Sequence, residues 1–116
     1  MHIVYLVPAA MANGPMGAQE MRRRESLLQE WSFHGAKVTV SDVPGGVTSI
    51  ESSYEELLAA AGSIDAIRRL EQEGADAVII GCFGDPGLEP AREMVTMPLI
   101  GPGEASLLLA AQLGHR

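Results

Sequence analysis

Residues 82–87 read Cys-Phe-Gly-Asp-Pro-Gly and follow directly on the strongest strand signal in the chain, Ala77-Val78-Ile79-Ile80-Gly81. A thiol at the end of a buried strand, ahead of a glycine-containing turn that opens a helix, has the surroundings a reactive cysteine needs. Backbone N–H groups of such a turn point beyond the strand, and the helix N-terminus adds a partial positive charge. Both favour a thiolate, and a free cysteine with an ordinary pKa of ~8.5 falls to ~7 or lower in such places. A lone cysteine beside an apolar strand is nonetheless more often a small buried hydrophobe. Pro86 and Gly87 serve equally well as an ordinary helix start. Position alone does not decide the role of Cys82.

Other residue types with chemical potential are scattered. His2, His34 and His115 fall in three separate elements, and none has metal-ligand spacing with Cys82, so no metal site is expected. His2 stands at the N-terminal end of its strand, away from the edge where ligands bind. Gly14-Pro15-Met16-Gly17 lacks the GxGxxG spacing, there is no Walker lysine, and no nucleophile elbow supports a Ser-His-Asp triad. The basic cluster Arg22-Arg23-Arg24 is flanked by Glu20 and Glu25 and reads as a solvated helix face.

The elements that must position Cys82 alternate regularly. The first apolar run, His2 to Val7, ends at Pro8 and is apolar nearly throughout, as a strand covered on both faces is. A loop rich in Gly, Pro, Ala and Asn leads to a helix from about Ala18 to Phe33, with Leu27, Leu28 and Trp31 at helical spacing and Gly35 as its stop. A short β-branched run, Lys37 to Ser41, precedes a second helix from about Tyr54 to Glu73. Leu57, Leu58, Ala61, Ile64, Ile67 and Leu70 share one side of it, Ser52 or Ser53 stands where a cap is needed, and Gly74 ends it. After the Cys82 turn a short helix runs to about Val95. Pro98 to Gly101 forms a fourth run, and a last helix spans about Glu104 to Leu113. Strands alternating with helices predict an α/β fold: a four-stranded parallel sheet with helices on both faces, flavodoxin-like. In such sheets ligands bind outside the carboxyl ends of the strands, which brings the loops 8–17, 43–53 and 82–87 together.

The chain has 116 residues, 47% of them apolar and 20% charged, enough for one domain and one core. With two Tyr, two Phe and one Trp, that core must rest on aliphatic residues. A formal charge of −7 argues against a nucleic-acid partner. The single cysteine cannot close an internal disulfide. No run approaches the length of a membrane span, and the first apolar run is short and has no basic leader, so a cytoplasmic protein without a membrane partner is expected.

The string Cys82-Phe83-Gly84-Asp85-Pro86-Gly87-Leu88, with Ala91-Arg92-Glu93, Pro98-Leu99-Ile100-Gly101 and Glu104-Ala105 after it, resembles the aspartate/glutamate/hydantoin racemases, the hydantoin racemase branch in particular. Ser49-Ile50-Glu51-Ser52 before a long helix is similar to the same branch. The resemblance covers most of the chain and is specific over residues 76–105. It implies a racemase or epimerase that needs no cofactor. A thiolate takes the proton α to a carbonyl of a hydantoin or amino-acid type substrate, and a second thiol on a similar lobe returns one to the opposite face. Cys82 matches the first of those cysteines. Phe83, Gly84 and Asp85 match the turn that helps hold the carbonyl and stabilise the enolate.

The resemblance also places Pro8 and Ser49 in the substrate-binding set. The Asn-Pro-Asn-Thr-like segment that many members carry after the first strand reads Val7-Pro8-Ala9-Ala10 here, without its polar side chains. Members of the family are about twice as long and carry a second lobe, so residues 1–116 correspond to a first lobe. Three readings follow: a racemase completed by a second lobe or by a homodimer or higher homo-oligomer, a catalytically incomplete lobe, or a non-enzymatic flavodoxin-like domain binding a small ligand. Glu104, at the start of the last helix, is placed either to cap that helix or to touch substrate.

Overall fold

The near-continuous apolar runs do form strands: β1 (His2–Val7), β2 (Lys37–Asp42), β3 (Ala77–Ile80) and β4 (Leu99–Ile100). Between and after them lie α1 (Gly17–Trp31), α2 (Ser53–Gln72), α3 (Leu88–Arg92) and α4 (Pro102–Leu113). The computed structural model describes residues 1–14 and 17–114. Every strand pairing is parallel, in the order β2-β1-β3-β4, so the α/β architecture is the expected one.

Alternation along the strands sorts two unequal faces. Val4 and Leu6 of β1, with Val78 and Ile80 of β3, join Ala66, Ile67 and Leu70 of α2 and Leu88 and Ala91 of α3 in one buried cluster. On the other face Ile3, Tyr5 and Ile79 meet Leu28 and Trp31 of α1 across an open groove of about 210 Å³. Here the expected packing of α1 is only half realised. Leu27 and Leu28 are half-buried, and Trp31 is 64% exposed.

The stripe of α2 that meets the sheet is rotated from the expected one. The buried positions are Ala59, Ser63, Ala66, Ile67 and Leu70, whereas Leu57, Leu58 and Ala61 are exposed. Small residues in the first half of α2 let it lie close to β1 and the 82–87 turn. The hydroxyl of Ser63, fully buried on that stripe, has no hydrogen-bond partner among the described residues.

Polar ties fix the ends of the elements. Ser52 is the cap of α2, accepting the Glu55 amide at 3.3 Å, and the Glu55 carboxylate reaches back to the Glu51 amide at 2.8 Å. The free edge of β2 is covered by α1 side chains: the Val38 amide donates to Gln29 Oε1 and the Val40 amide to Glu25 Oε2. That removes donors an unpaired edge strand would offer to another chain. His2, at the amino end of β1, lies 2.8 Å from Thr39 Oγ1 through its Nε2, a structural contact on β2. Glu71 of α2 accepts the amides of Thr96 and Met97 and so holds the segment leading into β4.

Candidate active site

The carboxyl ends of β1 and β3 lie side by side, because Leu6 pairs with Ile80 and the Gly81 amide donates to the Leu6 carbonyl at 2.7 Å. Pro8 and Cys82 each stand two residues beyond that pair, so they share one edge of the sheet. Pro8 is buried and Cys82 half-buried. Alternation turns the Cys82 side chain to the α2 face, the side of Ile80.

The turn after Cys82 is closed by the Asp85 amide donating to the Cys82 carbonyl at 3.0 Å. Asp85 itself adopts φ 50, a left-handed conformation uncommon outside glycine. The amides of Phe83 and Gly84 donate to no protein acceptor among the described residues. Two adjacent unused N–H groups beside a thiol are what stabilisation of a developing oxyanion requires. The Phe83 side chain is exposed.

The helix after this turn contributes less field than expected. α3 is five residues long and begins at Leu88, not adjacent to Cys82, and it ends at Arg92 instead of reaching Val95. One turn of helix carries few aligned peptide dipoles.

The Asp85 carboxylate faces α4. It accepts the Gly103 amide at Oδ1 (3.0 Å) and the Glu104 amide at Oδ2 (2.7 Å), capping that helix from a distant loop. A methyl group on Gly103 would stand 2.9 Å from Asp85 Oδ2 and closer still to the Phe83 carbonyl oxygen, so only glycine lets the helix approach this turn. The Glu104 side chain does not cap α4. Its carboxylate pairs with Arg92 at 2.6 Å, with Glu89 on the same guanidinium, and that ion pair holds Glu104 below the usual carboxylate range. The cap of α4 therefore comes from Asp85, a residue 18 positions upstream of Gly103 that no local sequence signal could reveal.

Ser49 lies in the exposed β2–α2 loop, and its hydroxyl donates to Glu51 at 2.9 Å. The loops after β1 and β2 bind each other. The Ala10 amide donates to the Val47 carbonyl (2.8 Å), the Val43 amide to the Ala9 carbonyl (3.2 Å), and the Ala12 amide to the buried carboxylate of Asp42 (2.7 Å).

Glu56 stands in the first turn of α2. In the fold it leans over Gly84: a methyl group there would lie 3.0 Å from Glu56 Oε1 and 4.0 Å from Cys82 Sγ. Thiol and carboxylate thus flank one small space that the missing side chain of Gly84 leaves open. Among the described residues, no three His, Cys, Asp or Glu side chains are grouped to hold a metal. No helix is long and apolar enough to cross a membrane.

A model of the family described as Asp/Glu/Hydantoin racemase matches residues 15–116. The chain belongs to that family. Its curated relatives include the hydantoin racemase of Pseudomonas sp. (strain NS671), 48% identical over 71 residues that make up 61% of this chain and 28% of that one. The hydantoin racemase of Rhizobium meliloti is 34% identical over 116 residues, all of this chain and 46% of its own length. Among solved structures, allantoin racemase from Klebsiella pneumoniae superposes with a TM-score of 0.82 at 28% identity, covering 97% of this chain and 43% of that one. The chain therefore spans less than half the length of the racemases it matches, and the fold of this part is that of the racemase family.

Proposed function

We propose that this chain supplies one wall of a racemase active site in which Cys82 exchanges the proton on a carbon α to a carbonyl. The substrate is a small molecule of hydantoin or amino-acid type, and the reaction needs no metal or cofactor. The observation that carries the reading is the conjunction, in a chain of this family, of the only thiol with two unused amides in the turn after β3. The Cys82 thiolate removes the α-proton. Negative charge moves to the carbonyl oxygen, which the Phe83 and Gly84 N–H groups receive. The proton returns to the opposite face from a second acid.

That second acid must come from outside this wall, since a planar enolate is reprotonated with inversion only from the face Cys82 does not occupy. A second lobe or a second copy of the chain would supply it. A two-fold dimer that sets Cys82 opposite its own copy is the simplest arrangement for residues 1–116. The exposed apolar side chains Leu107, Leu108 and Leu109 of α4 provide surface for such an association. A cytoplasmic setting agrees with a free thiol.

A chiral 5-substituted hydantoin followed in D2O, with this chain and with Cys82→Ala, tests the reading. Optical rotation and deuterium at Cα are read after subtraction of spontaneous exchange. Cysteine-dependent deuteration with loss of rotation establishes a two-faced site. Deuteration with rotation retained means that Cys82 works one face alone. Deuteration no faster than in Cys82→Ala overturns catalysis by this chain on that substrate and leaves it a folded, incomplete half.

A further inference from the structure

The turn after Cys82 has two accessible backbone states, and the structure holds it in one of them. Its ends are Cys82 and Asp85, joined through the Asp85 amide, with Phe83 and Gly84 at the two central positions. Glycine at the second central position opens the type II state, in which that residue is left-handed. Here neither Phe83 nor Gly84 has a positive φ, so the turn is of type I. The two types differ by a half-rotation of one peptide unit, the one joining Phe83 to Gly84. In type I the Phe83 and Gly84 N–H groups point the same way, as in the first turn of a helix. In type II the Gly84 N–H turns away from its neighbour, and the Phe83 carbonyl takes its place.

What selects type I is α4. The Phe83 carbonyl oxygen lies against Gly103, so closely that a methyl group there would collide with it. A carbonyl at the amino end of this 12-residue helix faces the positive end of the helix dipole. The peptide is planar and trans, so a carbonyl held toward α4 aims the Gly84 N–H away from that helix. Asp85 keeps α4 in place, with each of its own polar groups engaged. Its amide closes the turn and its carbonyl accepts the Leu88 amide at 3.1 Å. Its carboxylate accepts the Gly103 and Glu104 amides at 3.0 and 2.7 Å.

We propose that Asp85 is a positioning residue of the site: it clamps α4 against the Phe83 carbonyl and so keeps both amides aimed at the developing oxyanion. This role rests on the assignment of Cys82 and those two amides to the reaction. It makes one peptide flip the event that disables the site.

Sequential NOEs in the natural chain, Asp85→Ala and Asp85→Asn read the turn without turnover. A strong contact between the Phe83 and Gly84 amide protons marks type I, and one from Phe83 Hα to the Gly84 amide proton marks type II. The second should grow at the expense of the first in Asp85→Ala. It should grow less in Asp85→Asn, which keeps one acceptor and serves in place of an alanine variant that does not fold. Cys82-dependent deuteration of a 5-substituted hydantoin should fall roughly tenfold or more in Asp85→Ala. Gly84→Ala supplies the control that a merely structural cap would fail. Alanine resists the left-handed state, and its methyl group meets the flexible end of Glu56 at 3.0 Å. In a Gly84→Ala background, Asp85→Ala should therefore change the NOEs and the deuteration far less.

NOEs that do not respond to either Asp85 variant overturn the proposal, as does a chain that folds with neither. An equal loss of deuteration with and without Gly84→Ala overturns it too. A flipped turn with undiminished deuteration leaves Cys82 at the reacting face and removes Asp85 from the reaction. Deuteration in the natural chain no faster than in Cys82→Ala overturns the proposed function, and the positioning role with it.

Discussion

The two faces of the sheet are built from the same strands and differ in what completes them. On the α2 side Leu6, Ile67, Val78 and Ile80 are wholly buried. On the α1 side Ile3, Tyr5 and Ile79 border an open groove, and α4, which lies beside α3, leaves Leu107, Leu108 and Leu109 more than half exposed. The first face is where the fold is held together, since apolar area removed from water is the dominant favourable term in folding. The α1 face and α4 bury less and leave apolar surface for association. The Cys82 turn lies between the packed cluster and α4, with its thiol near α2 and its aspartate tied to that exposed helix.

The largest effect that could break this contrast is a truncation on each side. Ile67→Ala removes buried methylenes from the centre of the cluster and is expected to cost about 2–5 kcal/mol, a large part of the stability of a domain this size. Leu107→Ser, on the exposed face of α4, is expected to change stability by no more than about 0.5 kcal/mol. Urea melts of the two variants give both numbers. Comparable losses would mean that α4 is part of the core, and the contrast between the packed cluster and the exposed helix would be wrong.

A smaller and more local change sharpens the boundary. Asp85→Ala removes the acceptor of the Gly103 and Glu104 amides and, as the loss of a helix cap, is expected to cost about 0.5–2 kcal/mol. Asp85→Asn keeps an acceptor and should lose less. Amide hydrogen exchange places the effect. Gly103 and Glu104 should exchange faster in Asp85→Ala while Val78 and Ile80 keep their protection. Uniform loss of protection would instead make Asp85 a general structural residue.

What could be read in advance follows the range of the interactions. Strand identity, the α/β class, a cap at Ser52 or Ser53 and the stop at Gly74 all depend on neighbours in sequence, and each is legible there. The sided packing of α2 is not. Leu57, Leu58 and Ala61 fit a helical apolar stripe as well as the Ala59-Ser63-Ala66 line that is buried, and only the close approach of the sheet selects the smaller residues. Ser63 gives no sign in sequence that its hydroxyl will be enclosed without a partner. At the candidate site, Cys82 with Phe83, Gly84 and Asp85 is one contiguous string and could be found by reading along the chain. Asp85 as the cap of α4 and Glu56 opposite Gly84 could not, because each depends on two elements meeting in space. Ser49 is grouped with these residues by resemblance alone.

The smallest expected effect is the response to acid, and it distinguishes the polar ties from the core. Glu20 is lowered from an ordinary 4.5 to about 2 by its bonds to Arg23 and Arg24. Glu55 is lowered by the Glu51 amide, Glu71 by the amides of Thr96 and Met97, and Glu104 by Arg92. A carboxyl depressed in the folded state binds its proton more readily in the unfolded chain. Its stabilisation is therefore present above the unfolded value near 4.5 and fades as the pH falls through the folded one. These groups are exposed and screened, so the fall in Tm between pH 5 and pH 3 should be modest and smaller still in high salt. Its location is the sharper test. Glu71 carries no part of the apolar cluster, yet it holds the segment before β4 through two amides. Once the acid-driven change in intrinsic exchange is divided out, protection at Thr96 and Met97 should drop more than at Val78 and Ile80. Glu71→Gln should show most of that drop already at pH 7. If instead the strand amides lose protection in parallel with Thr96 and Met97, the periphery and the packed face open together. The ties around the sheet would then be as much a part of the core as Ile67.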